Sequence, residues 1–487
     1  MAVVAATFLA AGLGTYAVRA VTPSAHGDGP AAAQAWVTAR GQTTIDNTET
    51  TLPFSSAAPT TSAIIRVDPR LSFQTYTGVG AAITDSSAHV LYGLAKADRD
   101  TVMTNLFDPN AGAGINFLRQ PIGASDFVAD ADYSFDDVPA GQTDYGLQHF
   151  SIAHDEAQIL PLLRQARALN PGLQIVASPW SMPAWMKTND SMIDGKLIDT
   201  PQIYRAYASY LVKFLQAYAA ADVPVGYITV QNEPQAQRRN NYPGTDLPFW
   251  QEAKVISALG PAIKAAHLHT KILSYDHNWA VHPGDIKSYS LVNEDPQLNY
   301  PFSLLETDAA KWISGTAYHC YYGDPSAQTV LRASFPNKDI YMTECEGGNI
   351  STAIGVLRNW GKAVIDWNIA LDENHSPHLG GCGTCNGTIT INSTTEQVTY
   401  NPQYFMLRHF AAFVALGAVR IASDTADSSG APIALQSVAF RNPDRTTTLV
   451  VWNSSTSASQ TFSVLSNGRS FQTTLDPGAI GTYTWPA

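Results

Sequence analysis

Between about residues 75 and 418 two kinds of segment alternate some eight times. One kind is a short apolar run rich in β-branched and aromatic residues that ends in polar side chains. Such runs occur at 77–84 (TGVGAAIT), 115–123 (INFLRQPIG), 173–181 (LQIVASPWS), 226–234 (GYITVQNEP), 271–278 (KILSYDHN), 315–323 (GTAYHCYYG), 339–347 (DIYMTECEG) and 364–372 (VIDWNIALD). The other kind carries apolar residues at three- and four-residue spacing, as with Tyr204, Tyr207, Leu211, Phe214 and Leu215 in 203–221, and again in 156–169 and 252–266. The first pattern predicts strands and the second amphipathic helices. Regular alternation implies parallel strands joined by right-handed crossovers. Eight units over this length predict a (β/α)8 TIM barrel. An open doubly wound sheet is the rival, but no glycine-rich phosphate loop opens a first helix.

Outside this region the helical period disappears. From 419 to 487 short β-rich runs are separated by Asn, Pro, Gly and Ser turns, and 28–74 holds short alternating runs that read as edge strands. The prediction is an attached antiparallel β-sandwich built from both chain ends, with the barrel at 75–418 between its parts. Residues 1–25 form a signal-like segment: 2–18 are apolar and small, and Val18 and Ala20 suit the −3 and −1 positions of a cleavage site. A single membrane anchor is the alternative, since the stretch barely reaches a bilayer's length. No other segment is long and apolar enough to span. A secreted chain without stable membrane insertion, acting as a monomer, is expected.

Composition narrows the partners. Of 487 residues only 14% are charged, and 29 Lys+Arg stand against 41 Asp+Glu for a net charge of −12. An acidic chain without basic runs is a poor polyanion binder, so nucleic acid is excluded as a partner. Ten Trp and 21 Tyr on an uncharged polar background suit a hydroxyl-rich ligand such as a sugar, although a large core also uses them. Of the four cysteines, Cys382 and Cys385 form a C-x-x-C between glycine-rich turns and are read as a loop-stapling disulfide. Cys320 and Cys345 are read as buried thiols.

Barrel enzymes carry their reactive groups at the C-terminal ends of the strands. The polar residues there are Asp85, Arg119, Trp180, Asn232, Glu233, Asp276, His277, His319, Tyr321, Glu344, Trp367 and Asn368. Three acids among them, Asp85, Glu233 and Glu344, are expected to face a shared site. Glu233 and Glu344 end the fourth and seventh strands, which face each other across an eight-stranded mouth. Two carboxyls flanking one pocket are what glycoside hydrolysis requires, one protonated to release the leaving alcohol and one ionised to attack the anomeric carbon.

The segments TGVGAAITDSSA, LRQPIGASDF, ASPWSMPAWMKTN, YITVQNEP, GTAYHCYYGD, YMTECEGG and DWNIALD, in this order, make the chain resemble glycoside hydrolase family 30 over residues 70–485. These are the retaining β-glycosidases that include lysosomal glucosylceramidase. The resemblance implies the same barrel and sandwich, Glu233 as acid/base and Glu344 as nucleophile, with Glu346 a decoy two residues on. It implies that Asn232 bonds the sugar 2-hydroxyl, that Asp85, Trp180 and Trp367 line the pocket for the cleaved sugar, that Arg119 pairs with a catalytic carboxylate, and that His319 and Tyr321 support the site or a subsite. It implies a β-linked glucoside, oligosaccharide or glycolipid as substrate and no metal or organic cofactor. The main expectation is a glucosylceramidase-like β-glucosidase. Endo-β-1,6-glucanase, β-xylosidase or another β-glycosidase of the family is the alternative, and a non-catalytic carbohydrate-binding protein a remote one. The stretch 378–392 (HLGGCGTCNGTITIN) departs from the lysosomal enzyme's loop and leaves the leaving-group preference open.

Overall fold

A computed structural model describes residues 32–236, 242–347, 349–427 and 433–486; the signal-like segment at 1–25 lies outside them. All eight predicted strands are present in one parallel sheet: Gly78–Ala81 (β1), Phe117–Pro121 (β2), Gln174–Ser178 (β3), Tyr227–Ile228 (β4), Lys271–Asn278 (β5), Ile313–His319 (β6), Asp339–Glu344 (β7) and Gly361–Asp366 (β8). Neighbours in sequence are neighbours in the sheet, and β8 pairs with β1. The circle closes where the Ile83 N–H donates to the Arg119 carbonyl and the Asn116 N–H to that of Val79, both beside the Ala82–Arg119 bridge. Strands buried on both faces explain why the runs read as nearly continuous apolar stretches.

Side chains alternate along each strand, so residues two apart share a face. Phe117, Val176, Tyr227, Leu273, Ala317, Tyr341, Ala363 and Ile365 fill the barrel interior. A second, larger core lies between the strands and the helices outside. Helix Pro201–Ala220 shows how the sequence sets an element. Thr200 caps its N-terminus through its hydroxyl oxygen, Pro201 opens it, and Tyr204, Tyr207, Leu211, Phe214, Leu215 and Tyr218 bury one side.

The sandwich joins both ends of the described chain in one nine-stranded sheet. Ala32–Thr38 pairs with Ile480–Pro486, and Ala63–Thr75 with Val419–Asp427. Reciprocal backbone bonds between Ser55 and Ser470 bring its two edges together. The expectation of a wholly antiparallel sheet needs one correction. Gln460–Ser466 runs parallel to Ala63–Thr75, along residues 63–67, whose other edge carries the antiparallel Val419–Asp427. A small sheet of 370–372, 389–391 and 398–400 was not foreseen. Strand β8 stops at Asp366, and Ala370–Asp372 pairs elsewhere.

Candidate active site

One layer above the apolar interior the same strands present polar residues. Two positions past Phe117 stands Arg119, past Val176 Ser178, past Tyr227 Thr229, past Ala317 His319 and past Tyr341 Thr343. Strand β5 reaches this layer differently. Tyr275 and Asp276 have positive φ, 75° and 55°, and the pairing register with β6 shifts there. This bulge brings Asp276, and not Tyr275, into the layer. A non-glycine residue in this region carries strain, which is commonest at functional sites.

Asp276 is the centre of the layer. Its carboxylate, fully buried, accepts from the hydroxyls of Ser178 (2.6 Å), Thr229 (2.8 Å) and Thr343 (2.6 Å), from Arg119 Nη2 (2.8 Å) and from His319 Nε2 (3.1 Å). Burial alone would raise its pKa, but the Arg119 and His319 charges and these donors hold it far below the usual carboxylate range. The expectation of three site acids, Asp85, Glu233 and Glu344, therefore omits the most heavily bonded one. Asp85 itself stands at the start of a helix, its oxygens taken by His154 Nε2 (2.8 Å) and the Ala129 N–H (2.7 Å).

Arg119 and His319 carry this centre outward to the two glutamates. Arg119 is completely buried; Nη2 also donates to Asn232 Oδ1 (2.8 Å), and Nη1 pairs with Glu344. Its guanidinium packs under the indoles of Trp180 (4.9 Å) and Trp367 (5.7 Å), which stack on each other at 5.0 Å. Tyr321 donates its hydroxyl to the other Glu344 oxygen (2.7 Å). Burial and the nearby Glu344 and Glu233 charges push the phenol pKa well up, so it stays a donor. His319 Nδ1 meets Glu233 Oε1 at 3.1 Å and Glu344 Oε1 at 3.8 Å. Burial opposes the imidazolium, but the carboxylates of Glu344, Asp276 and Glu233 outweigh it and raise the pKa from 6.5 to about 9. Glu233 has a φ of 43°, and its backbone N–H donates to the Asp276 carbonyl (3.0 Å). His277 Nδ1 approaches the same oxygen, 3.7 Å from Glu233 Oε1. The structure thus brings together Arg119, Trp180, Asn232, Glu233, His319, Tyr321, Glu344 and Trp367. Asp276 and His277, visible in the sequence only as polar strand ends, join them.

Two disulfides border the site. Cys382–Cys385 forms as expected. Cys320 and Cys345 are not thiols: they are bonded to each other, and the register that sets the ends of β6 and β7 side by side makes the pairing possible. This bridge lies between His319 and Tyr321 on one strand end and directly after Glu344 on the other. The Cys382–Cys385 loop lies along the indole wall. The Leu379 N–H donates to the Asp126 carbonyl (2.9 Å), Phe127 packs on Trp367 (6.0 Å), and Cys385 joins the cluster of Trp180, Trp367, Phe127 and Tyr242. Glu346 accepts from the Asn386 N–H (3.1 Å), so it anchors this loop. A groove of about 600 Å³ at the opposite ends of β5 and β6, lined by Lys264, His267, His269 and Trp312, holds none of these residues.

The model of the glycosyl hydrolase family 30 TIM-barrel domain matches residues 76–414, and that of the family 30 beta sandwich domain matches 417–483. The chain belongs to glycoside hydrolase family 30. Among family 30 relatives it is 32% identical to Endo-1,6-beta-D-glucanase BGN16.3 of Trichoderma harzianum, over 85% of this chain and 84% of that protein. It is 27% identical to the lysosomal acid glucosylceramidase of Mus musculus, over 87% and 84%. Among solved structures, the endo-beta1,6-glucanase BT3312 superposes with a TM-score of 0.80 at 30% identity, covering 94% of this chain and 100% of that one. As a family 30 member the chain is a glycoside hydrolase acting on carbohydrate or glycolipid. Among the described residues no helix is long and apolar enough to cross a membrane.

Proposed function

We propose that this protein is a retaining endo-1,6-β-glucanase with Glu344 as nucleophile and Glu233 as acid/base. What carries the assignment is the way Glu344 is held at the end of β7, facing Glu233. Glu344 receives an ion pair from Arg119 on one oxygen and a phenolic hydrogen bond from Tyr321 on the other, which fix its orientation. Glu233 faces it across His319, whose Nδ1 approaches both carboxylates. Both approach the same nitrogen, His319 Nδ1, so their nearest oxygens lie no farther apart than the sum of 3.1 and 3.8 Å. That limit accommodates the ~5–5.5 Å separation of a retaining pair.

In the proposed reaction Glu344 attacks the anomeric carbon while protonated Glu233 gives its proton to the departing oxygen. The glycosyl ester on Glu344 removes a negative charge from the pocket. Glu233, now ionised, takes a proton from water, whose oxygen attacks the anomeric carbon and releases Glu344. Arg119, held by Asp276, fixes the nucleophile and Asn232 together, and the indoles of Trp180 and Trp367 offer a flat wall to a pyranose.

Specificity for 1,6-linked glucan is supported by the relatives. Fungal endo-1,6-beta-D-glucanases match at 32% and 34% identity, and glucosylceramidases at 27% and 29%. This supports the 1,6-glucanase reading over the ceramide glucoside expected first. Secretion is proposed from the two disulfides, which persist in oxidising compartments. The test is digestion of a linear β-1,6-glucan, with product sizes followed by chromatography and anomeric form by early-time NMR. Oligosaccharides of mixed length with β-configured new ends are expected. Glucose as sole product, α-configured ends, or faster cleavage of glucosylceramide than of the glucan would overturn the assignment.

A further inference from the structure

His277 is unexplained by the reaction above. It is 1% exposed, and among the described residues neither ring nitrogen has a hydrogen-bond partner. A buried imidazole left this way is costly unless something meets it. Its Nδ1 is directed toward Glu233 Oε1 at 3.7 Å, and His319 Nδ1 reaches the same oxygen at 3.1 Å. One ligand atom from each of the three residues lies within 4.8 Å of the others. A tetrahedral zinc ion with bonds of about 2.0–2.1 Å holds its ligands about 3.4 Å apart, so small side-chain shifts bring these atoms to bonding distance. The far side of each ring is also prepared. His319 Nε2 faces Asp276 Oδ1 at 3.1 Å, and His277 Nε2 faces Asp285 Oδ2 at 3.5 Å. A carboxylate behind each imidazole is the arrangement that orients metal-ligating histidines and fixes Nδ1 as the coordinating atom.

We propose that Glu233, His277 and His319 form a binding site for a borderline divalent transition-metal ion such as Zn2+, with Asp285 and Asp276 orienting the two histidines. Two imidazoles and one carboxylate leave room for water in the fourth position and favour zinc or cobalt over calcium or magnesium, which take all-oxygen sets. The consequence rests on the role proposed above for Glu233: an ion on its carboxylate removes the group that gives and takes the proton, so the metal inhibits.

Co2+ added to the metal-free full chain should give visible d–d absorption at one ion per chain, and Zn2+ should displace it. His277→Phe should abolish the band. Asp285→Asn, which leaves all three ligands in place, should weaken Co2+ binding about tenfold. Far-UV circular dichroism and Tm establish that each variant is folded. Hydrolysis of β-1,6-glucan by the wild type should be inhibited by Zn2+ at concentrations at least tenfold lower than those needed for His277→Phe. No band in the wild type, or an equal band in His277→Phe, overturns the site. A band that depends on His277 while Zn2+ leaves hydrolysis unchanged supports the site and refutes the acid/base role of Glu233.

Discussion

Replacing Asp276 by Asn keeps the size of the side chain and removes its charge. Five donors converge on the carboxylate, and an amide has one accepting oxygen for them. The amide oxygen is best kept toward Arg119, Ser178 and Thr229, which leaves the NH2 facing His319 Nε2 and Thr343. The hydroxyl can rotate, but His319 must give up its Nε2 proton to accept. Two losses follow. Removing one partner of a buried ion pair costs about 3–5 kcal/mol, the lower end applying because Arg119 retains Glu344. The second is seen in pH dependence. A histidine raised from 6.5 to about 9 in the folded state contributes roughly 3 kcal/mol, fully present below pH 6.5 and lost as pH rises through about 9. Glu233, Glu344, Asp276, His277, Arg119 and Tyr321 all face this ring or its partners, and Asp276 supplies a hydrogen bond and a charge among the groups that raise it. Urea unfolding followed by tryptophan fluorescence at pH 6, 7.5 and 9 measures both. Wild-type stability should fall toward pH 9, whereas Asp276→Asn should start about 3–5 kcal/mol lower and decline less. A loss under about 1 kcal/mol with an unchanged pH slope would refute the central role given to Asp276.

Tyr321→Phe removes one donor to Glu344, and a hydrogen bond to a charged group is worth about 1.5–3 kcal/mol, so kcat/KM on an aryl glucoside should fall roughly 10- to 100-fold; an unchanged value would mean the contact plays no part in turnover. The Cys320→Ser/Cys345→Ser double variant opens a loop of sequence separation 25 and should cost about 3 kcal/mol, and dithiothreitol, which also opens Cys382–Cys385, should cost the wild type at least as much. Equal urea midpoints with and without reductant would contradict it. Gly381 has a φ of 67°, and a Cβ there would sit 2.3 Å from Asp126 Oδ2. Gly381→Ala should destabilise by about 1–2 kcal/mol and raise KM for glucan, since the loop it carries lies along the Trp180–Trp367 wall. An unaltered Tm and KM would show that the loop gives way freely.

The eight strands were legible because parallel strands buried on both faces leave compact apolar runs, and the amphipathic helices between them leave a distinct period. The polar ends of those runs were legible as well, Asp276 and His277 among them. What alternation could not convey is which of two adjacent residues enters the barrel. The positive φ at Tyr275 and Asp276 shifts that choice by one position, and nothing in YDH announces a bulge. The Cys320–Cys345 bond was hidden for a related reason: two cysteines 25 apart become neighbours only through the registry of two strand ends. The parallel pair in the sandwich escaped prediction because the partner of a strand is set by topology, and short alternating runs do not encode direction.

The marriage of Ala32–Thr38 to Ile480–Pro486 has a bearing on biosynthesis. Ala32–Thr38 has one flank covered early by Thr50–Pro53, while its other flank waits for Ile480–Pro486 to be translated. The whole catalytic barrel is made in that interval. A nascent chain therefore carries an open, sticky edge until Ile480–Pro486 emerges, and a stop codon before Ile480 would leave that edge permanently bare.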